Sequence, residues 1–263
     1  MVVRTGLSTA ETSALWIPVL RQLGVEPGAG MLFHASFAAL SRQGLLPERV
    51  LEAFIGYLDS GTLLAPTLSW REVSPDRPVF DEQATCSNVG VLSEVFRTGF
   101  AERRSLHPTH SVAGLGPLTG RLLSDHPGDV RPCSPQSPWG RLAETNTTVL
   151  MINVDMDTCT LVHHLEETFD PERYLRDEVE SYRCVDRNGS SLEVSVRRHR
   201  KLHRNFWKFR EALQHRKQCR FAELLGSRIF AFKAADLVKA GSDMFEEDSG
   251  ASLAGNGERS KLM

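Results

Sequence analysis

Thr148-Val149-Leu150-Met151-Ile152-Asn153-Val154, with four apolar residues in a row at Val149–Ile152, reads as a central strand buried on both faces. A helix from Thr158 to Thr168 is expected next, so the strand's carboxyl end points into Asp155, Asp157 and Cys159. In open α/β sheets, ligands bind at that end. Upstream, Met31–His34 and Thr62–Ala65 are short apolar runs of the same kind. A helical pattern precedes each: Thr9–Leu23, and Pro47–Leu58 with proline tolerated in its first turn. Gly24–Gly30 and Gly61 end these helices. Alternating helix and strand with short connections predicts an α/β sheet sandwiched by helices.

Other segments fit that frame. Val89–Phe96 is a predicted helix, Val112–Leu115 a strand, and a short helix is expected around Trp139–Glu144. Ser191–Val196 alternates like a strand, and Ser227–Phe232 is a last strand followed by a helix to about Lys239. Trp70–Asn88 and Pro127–Pro138 are irregular, and loops of that length suggest function. The expected organisation is one domain over residues 1–240 with a polar, disordered tail from Gly241 to Met263.

The 263 residues are 41% hydrophobic and 24% charged, which fits a globular chain and excludes collagen, coiled coil and wholesale disorder. No apolar run approaches the ~20 residues that cross a bilayer. The N-terminus lacks a charged region followed by an apolar one, so a cytoplasmic protein without a membrane partner is expected. Cys86, Cys133, Cys159, Cys184 and Cys219 are odd in number, scattered and without a C-x-x-C pair. Neither a disulfide framework nor a structural zinc is expected.

Charge is unevenly placed. Arg197 to Arg220 holds ten Arg/Lys against Glu211 alone, leaving 21 bases against 32 acids elsewhere. Such a run could meet nucleic acid, a membrane surface or cofactor phosphates, or form a solvated helix face. Its aromatics, Phe206, Trp207 and Phe209, are clustered rather than spaced for base stacking. Nucleic acid is therefore not the expected partner. The acidic remainder suits a cationic small molecule.

Four places could carry chemistry. His34-Ala35-Ser36 follows a strand. Arg104-Ser105-Leu106-His107-Pro108-Thr109-His110-Ser111 is a polar, histidine-rich loop. Asn153–Thr160 ends the best strand, and His163-His164-Leu165-Glu166-Glu167 lies on the helix beyond it. His163 and Glu166, three apart, share a helix face. A histidine and a carboxylate make a base with an orienting group. Each place also has a plainer role, as a hydrogen-bonded strand end, a turn or a solvated pair. H-H-x-E lacks the spacing of H-E-x-x-H, so no metal is expected. G-x-G-x-x-G, G-x-x-x-x-G-K-[ST] and G-x-S-x-G are all absent.

Taken in order, these motifs resemble the aminoglycoside 3-N-acetyltransferase family. The matching stretches include His34-Ala35-Ser36, Gly61-Thr62-Leu63 with Pro66-Thr67, Val89–Arg97 and Arg104–Ser111. Ser137-Pro138-Trp139-Gly140-Arg141-Leu142, Thr160–Glu166, Gly226-Ser227-Arg228 and Ala234–Val238 continue it. The resemblance implies an α/β/α sandwich and an acyl-CoA-dependent N-acyltransferase. Its co-substrate is then acetyl-CoA, with no metal, and its acceptor an amine of an aminoglycoside or related amino-sugar or natural product. Resistance and biosynthesis are both open as roles, and oligomeric state is open too. By resemblance, His34, Ser36 and Ser111 line the CoA side, while Trp70, Glu72, Asp81 and Glu94 face the acceptor. His107, His163 and Glu166 form the reacting centre, with His107 the expected base and His110 the second candidate. Two rival readings are a covalent route through Cys86 or Cys159, and a binding protein without catalysis.

Overall fold

Ser8 starts the first helix by local chemistry. Its side chain accepts the Glu11 N–H, while its own N–H donates to the Glu11 carboxylate at 2.9 Å, a reciprocal cap. The computed structural model describes residues 6–263. In chain order the elements are α1 (Thr9–Gln22), β1 (Gly30–Ala35), α2 (Ala38–Arg42), α3 (Pro47–Leu58), β2 (Thr62–Pro66) and β3 (Val79–Asp81). Then come α4 (Val91–Gly99), β4 (Arg103–Arg104), β5 (Val112–Leu115), α5 (Thr119–Leu123), α6 (Pro138–Arg141) and β6 (Thr148–Ile152). Next are α7 (Leu161–Phe169), α8 (Pro171–Tyr174), β7 (Leu175–Val185), β8 (Ser191–His199) and β9 (His203–Arg204). The chain finishes with α9 (Trp207–His215), β10 (Cys219–Leu224), β11 (Ser227–Lys233), α10 (Ala234–Glu247) and β12 (Lys261–Leu262).

Among the described residues the largest sheet has the order β10-β11-β6-β1-β2-β5-β4. β1 runs parallel to β2 and β6, while β5 and β11 are antiparallel to their neighbours. The twofold alternation of strands builds a core on each face. Met31, Phe33, Leu63, Ala65, Leu150 and Ile152 pack with Trp16, Leu20, Phe54 and Phe96 of α1, α3 and α4. Leu32, Leu64, Val149 and Met151 pack with Trp139, Leu165, Phe209 and Leu237 on the other side. The result is an α/β/α sandwich, as expected. Full burial of each large apolar side chain contributes roughly 1.5–3 kcal/mol. Gly61 is required at its turn, since a Cβ there would stand 2.5 Å from the Ala29 carbonyl oxygen.

Three expectations need correction. The basic stretch is not one helix: Arg197 and Arg198 end β8, Arg204 lies on β9, only Trp207–His215 is helical, and Arg220 is on β10. Its cations are largely paired across the fold, Arg197 with Glu172, Arg198 with Glu180, Arg200 with Asp177, Lys208 with Glu258 and Arg216 with Asp243. The Trp70–Asn88 loop contains β3, which joins β7 and β8 in a second sheet around Phe80, Tyr182 and Val194. The polar residues from Gly241 are folded rather than disordered. α10 continues to Glu247, Ala251 and Ser252 are buried, and β12 pairs with β9.

Topology sets the site. β1, β2 and β6 are parallel, so His34, Thr67 and Asn153 gather at one edge. Val112 of β5 pairs with Pro66, which brings the Ser105–Ser111 loop to that same edge. α7 leaves from the end of β6, and β8 delivers its last residue, His199, beside it.

Candidate active site

α7 presents the central pair. His163 Nδ1 lies 2.7 Å from Glu166 Oε2, as their spacing of three residues on one helix face requires. A carboxylate only accepts, so Nδ1 donates and Nε2 keeps the lone pair. The His163 side chain is 14% exposed, whereas His107 is fully buried. Glu166 is fully buried, and its Oε1 accepts from Arg204 Nε at 2.7 Å and Ser252 Oγ at 2.6 Å. Burial alone would raise its pKa, but His163 and Arg204 together hold it below the usual carboxylate range. Arg204 is anchored in turn by the carbonyls of Arg200 (3.1 Å) and Met263 (2.7 Å).

The histidine-rich loop is built differently. His107 Nδ1 accepts the backbone N–H groups of Thr109 (3.2 Å) and His110 (2.9 Å), which places its proton on Nε2. Its ring stacks on His126 at 4.3 Å, and burial pushes its pKa well below the usual value. His126 Nε2 donates to the Pro132 carbonyl at 2.9 Å, and burial lowers its pKa to about 4. His110 Nδ1 meets Thr109 Oγ1 at 2.8 Å, and its carbonyl accepts from the Trp139 indole at 3.1 Å. The His110 ring lies 6.4 Å from that of His163.

His199 completes the cluster, with its ring 4.3 Å from His163 and 5.0 Å from His110. Sequence reading passed over it because it stands inside the basic run, and its partners lie on distant segments. No local spacing signals it. Burial, with His163 and His110 nearby, holds its pKa well below the usual imidazole value. Glu167, next to Glu166, is pushed well above the carboxylate range by burial, although the Cys133 N–H donates to both its oxygens.

The remaining expected residues are dispersed. His34 ends β1 buried, stacked 6.5 Å from Trp139, with its pKa lowered to about 4 by burial. Its Nε2 has no hydrogen-bond partner among the described residues. Ser36 is exposed, and its N–H donates to the Ile152 carbonyl at 2.9 Å. Ser111 is fully buried between the Thr67 carbonyl (2.8 Å) and Arg104 Nε (3.0 Å), so its hydroxyl is spent inside the fold. Trp70 is 41% exposed, and its carbonyl is held by Arg198, the neighbour of His199. Glu72 accepts from Asn88 Nδ2 at 3.3 Å, and Asp81 Oδ1 caps the N–H groups of Gln83 and Ala84. Glu94 pairs with Arg97 at 2.7 Å and accepts the Ser87 N–H. Burial opposes its ionisation, yet those partners leave its pKa below the usual value.

A sequence profile described as Aminoglycoside 3-N-acetyltransferase matches residues 32–246. The chain is 28% identical to Aminoglycoside N(3)-acetyltransferase IX of Micromonospora chalcea over 170 residues, 57% of this chain and 60% of that protein. It thus spans about three fifths of the length of such curated relatives. The solved aminoglycoside acetyltransferase AAC(3)-IVa in complex with gentamicin superposes with a TM-score of 0.78 at 24% identity, over 97% of this chain and 94% of that one. AAC-IIIb in binary complex with CoASH gives 0.75 at 23% identity, over 92% and 97%. At these identities the two structures establish the shared fold.

Proposed function

Because the chain belongs to the aminoglycoside 3-N-acetyltransferase family, we propose that it moves an acetyl group from acetyl-CoA to an amine of an aminoglycoside or related natural product. The base in this reading is His163 rather than His107. One observation carries it: His163 Nδ1 donates to a buried, ion-paired Glu166, leaving Nε2 free to accept a proton. His107 has given Nδ1 to two backbone amides and lies fully enclosed.

The chemistry follows from those roles. A protonated amine cannot attack a thioester, so its proton must leave first. Solvent takes that proton, and His163 Nε2 takes a second one from the neutral amine as its nitrogen bonds to the acetyl carbon. The C–S bond breaks, and the departing thiolate takes a proton from the His163 imidazolium to give free CoA. Glu166 fixes the tautomer and stabilises the imidazolium, and Arg204 keeps Glu166 ionised. His34 and Ser36, at the carboxyl edge of β1, are assigned to the CoA side, and the Trp70 loop, tied by Arg198 to β8, to the acceptor side. The CoASH complex of AAC-IIIb supports acetyl-CoA as donor.

The same structure weighs against the covalent route at Cys159 and against a nucleic-acid partner. Cys159 is buried with its thiol pushed up to about 12, which suits packing rather than nucleophilic attack. The basic run is largely neutralised by acids of the fold, which disfavours nucleic acid. The test mixes protein, acetyl-CoA and a panel of aminoglycosides and follows thiol release. Turnover by wild type and its loss in His163→Asn are expected. Silence across the panel, or an unimpaired His163→Asn, overturns the reading.

A further inference from the structure

Behind the dyad lies a group of side chains that acyl transfer does not use. Cys133 Sγ, a Glu167 carboxylate oxygen and a His199 ring nitrogen all lie within 4.8 Å of one another. They come from the Pro-rich loop, α7 and the end of β8. Cys133 and Glu167 are fully buried, and the His199 side chain is 10% exposed. His199 Nε2 stands 2.9 Å from Glu167 Oε1 yet has no hydrogen-bond partner among the described residues, so the two atoms are close without being aligned. Sulfur, oxygen and nitrogen donors thus converge on one buried point. Bonds of about 2.0–2.1 Å at a tetrahedral angle set neighbouring donors about 3.3 Å apart.

We propose that Cys133, Glu167 and His199 form a zinc-binding site. One sulfur, one nitrogen and one oxygen donor suit a borderline-soft divalent ion, whereas calcium and magnesium require oxygen ligands. Binding forms the sulfur–zinc and oxygen–zinc bonds and releases the protons of the Cys133 thiol and the Glu167 carboxyl to solvent. His163, Glu166 and His199 also lie within 4.8 Å of one another, but Glu166 already accepts from His163, Arg204 and Ser252. Glu166 is ion-paired directly with Arg204 there, whereas Glu167 meets a neutral backbone N–H, that of Cys133. At the Cys133 site the ion joins three separated segments immediately behind His163, whose ring lies 4.3 Å from that of His199. It acts as a staple and does not touch substrate.

The test strips the purified chain with a chelator, titrates it with zinc chloride alone against a chromophoric indicator, and counts bound metal by mass spectrometry. One equivalent is expected in wild type. Affinity should fall by about 10–100-fold in Cys133→Ser and His199→Asn and hold in His163→Asn. Cobalt(II) in place of zinc should show a sulfur-to-metal charge-transfer band in wild type, lost in Cys133→Ser. Substoichiometric zinc in wild type, or full binding by Cys133→Ser, overturns the proposal. So does loss in His163→Asn alone, which assigns the ion to the other trio. If Cys133→Ser does not fold, a wild-type cobalt spectrum lacking the sulfur band overturns it.

Discussion

The Ser105–Ser111 loop and the first turns of α7 each carry two histidines, and the fold uses them in opposite ways. The loop spends the Nδ1 atom of each ring on its own backbone and neighbours: His107 takes two amide protons, and His110 meets Thr109. α7 turns one nitrogen of His163 toward a buried carboxylate and leaves the other available. In the proposed mechanism the more distinctive motif is scaffolding, and the plainer one carries the proton. What separates them is where each lone pair is already committed.

The sharpest way to break this contrast is to exchange the outcomes. His163→Ala should lower kcat by about 10²–10⁴-fold, the range of general-base assistance, measured by thiol release on protein shown to be folded. An equal loss in His107→Ala would dissolve the distinction. Next in size is a pH effect on the loop's support. Unfolded, His126 titrates near 6.5, while the folded ring titrates at about 4. The unfolded state thus binds more protons below pH 6.5, and stability falls as pH is lowered toward 4. The drop from pH 6.5 to 5 is roughly 2 kcal/mol and should shrink in His126→Gln, by urea unfolding. Third, His107→Ala leaves two buried backbone donors unpaired and should cost about 1–3 kcal/mol, with kcat of the folded fraction changed less than in His163→Ala. Smallest is Ser252→Ala, which removes one hydrogen bond to Glu166. It should cost about 1 kcal/mol and lower kcat only modestly.

Much of this was legible in the sequence, for physical reasons. β1, β2 and β6 are short apolar runs bounded by turn residues, and burial on both faces leaves that composition. The His163–Glu166 pair was legible because helix geometry joins residues three apart. β7 was not: five of its eleven residues are charged, because its exposed face makes ion pairs instead of packing. The basic run misled in the same way. Arg197, Arg198 and Arg204 are strand residues whose acids sit on other elements, so their local density mimicked a solvated helix. His199 reaches the cluster only through the β7–β8 pairing, and Ser252 only through the chain folding back after α10. No spacing in the sequence encodes either contact.

That return of the chain has a consequence during synthesis. Glu166 and His163 emerge from the ribosome well before Ser252 and Met263, whose contacts fix Glu166 and Arg204. While those residues are still inside the exit tunnel, the nascent protein can assemble its sheet but not the brace behind its carboxylate. A message truncated in this stretch would yield a shaped protein without the brace behind Glu166.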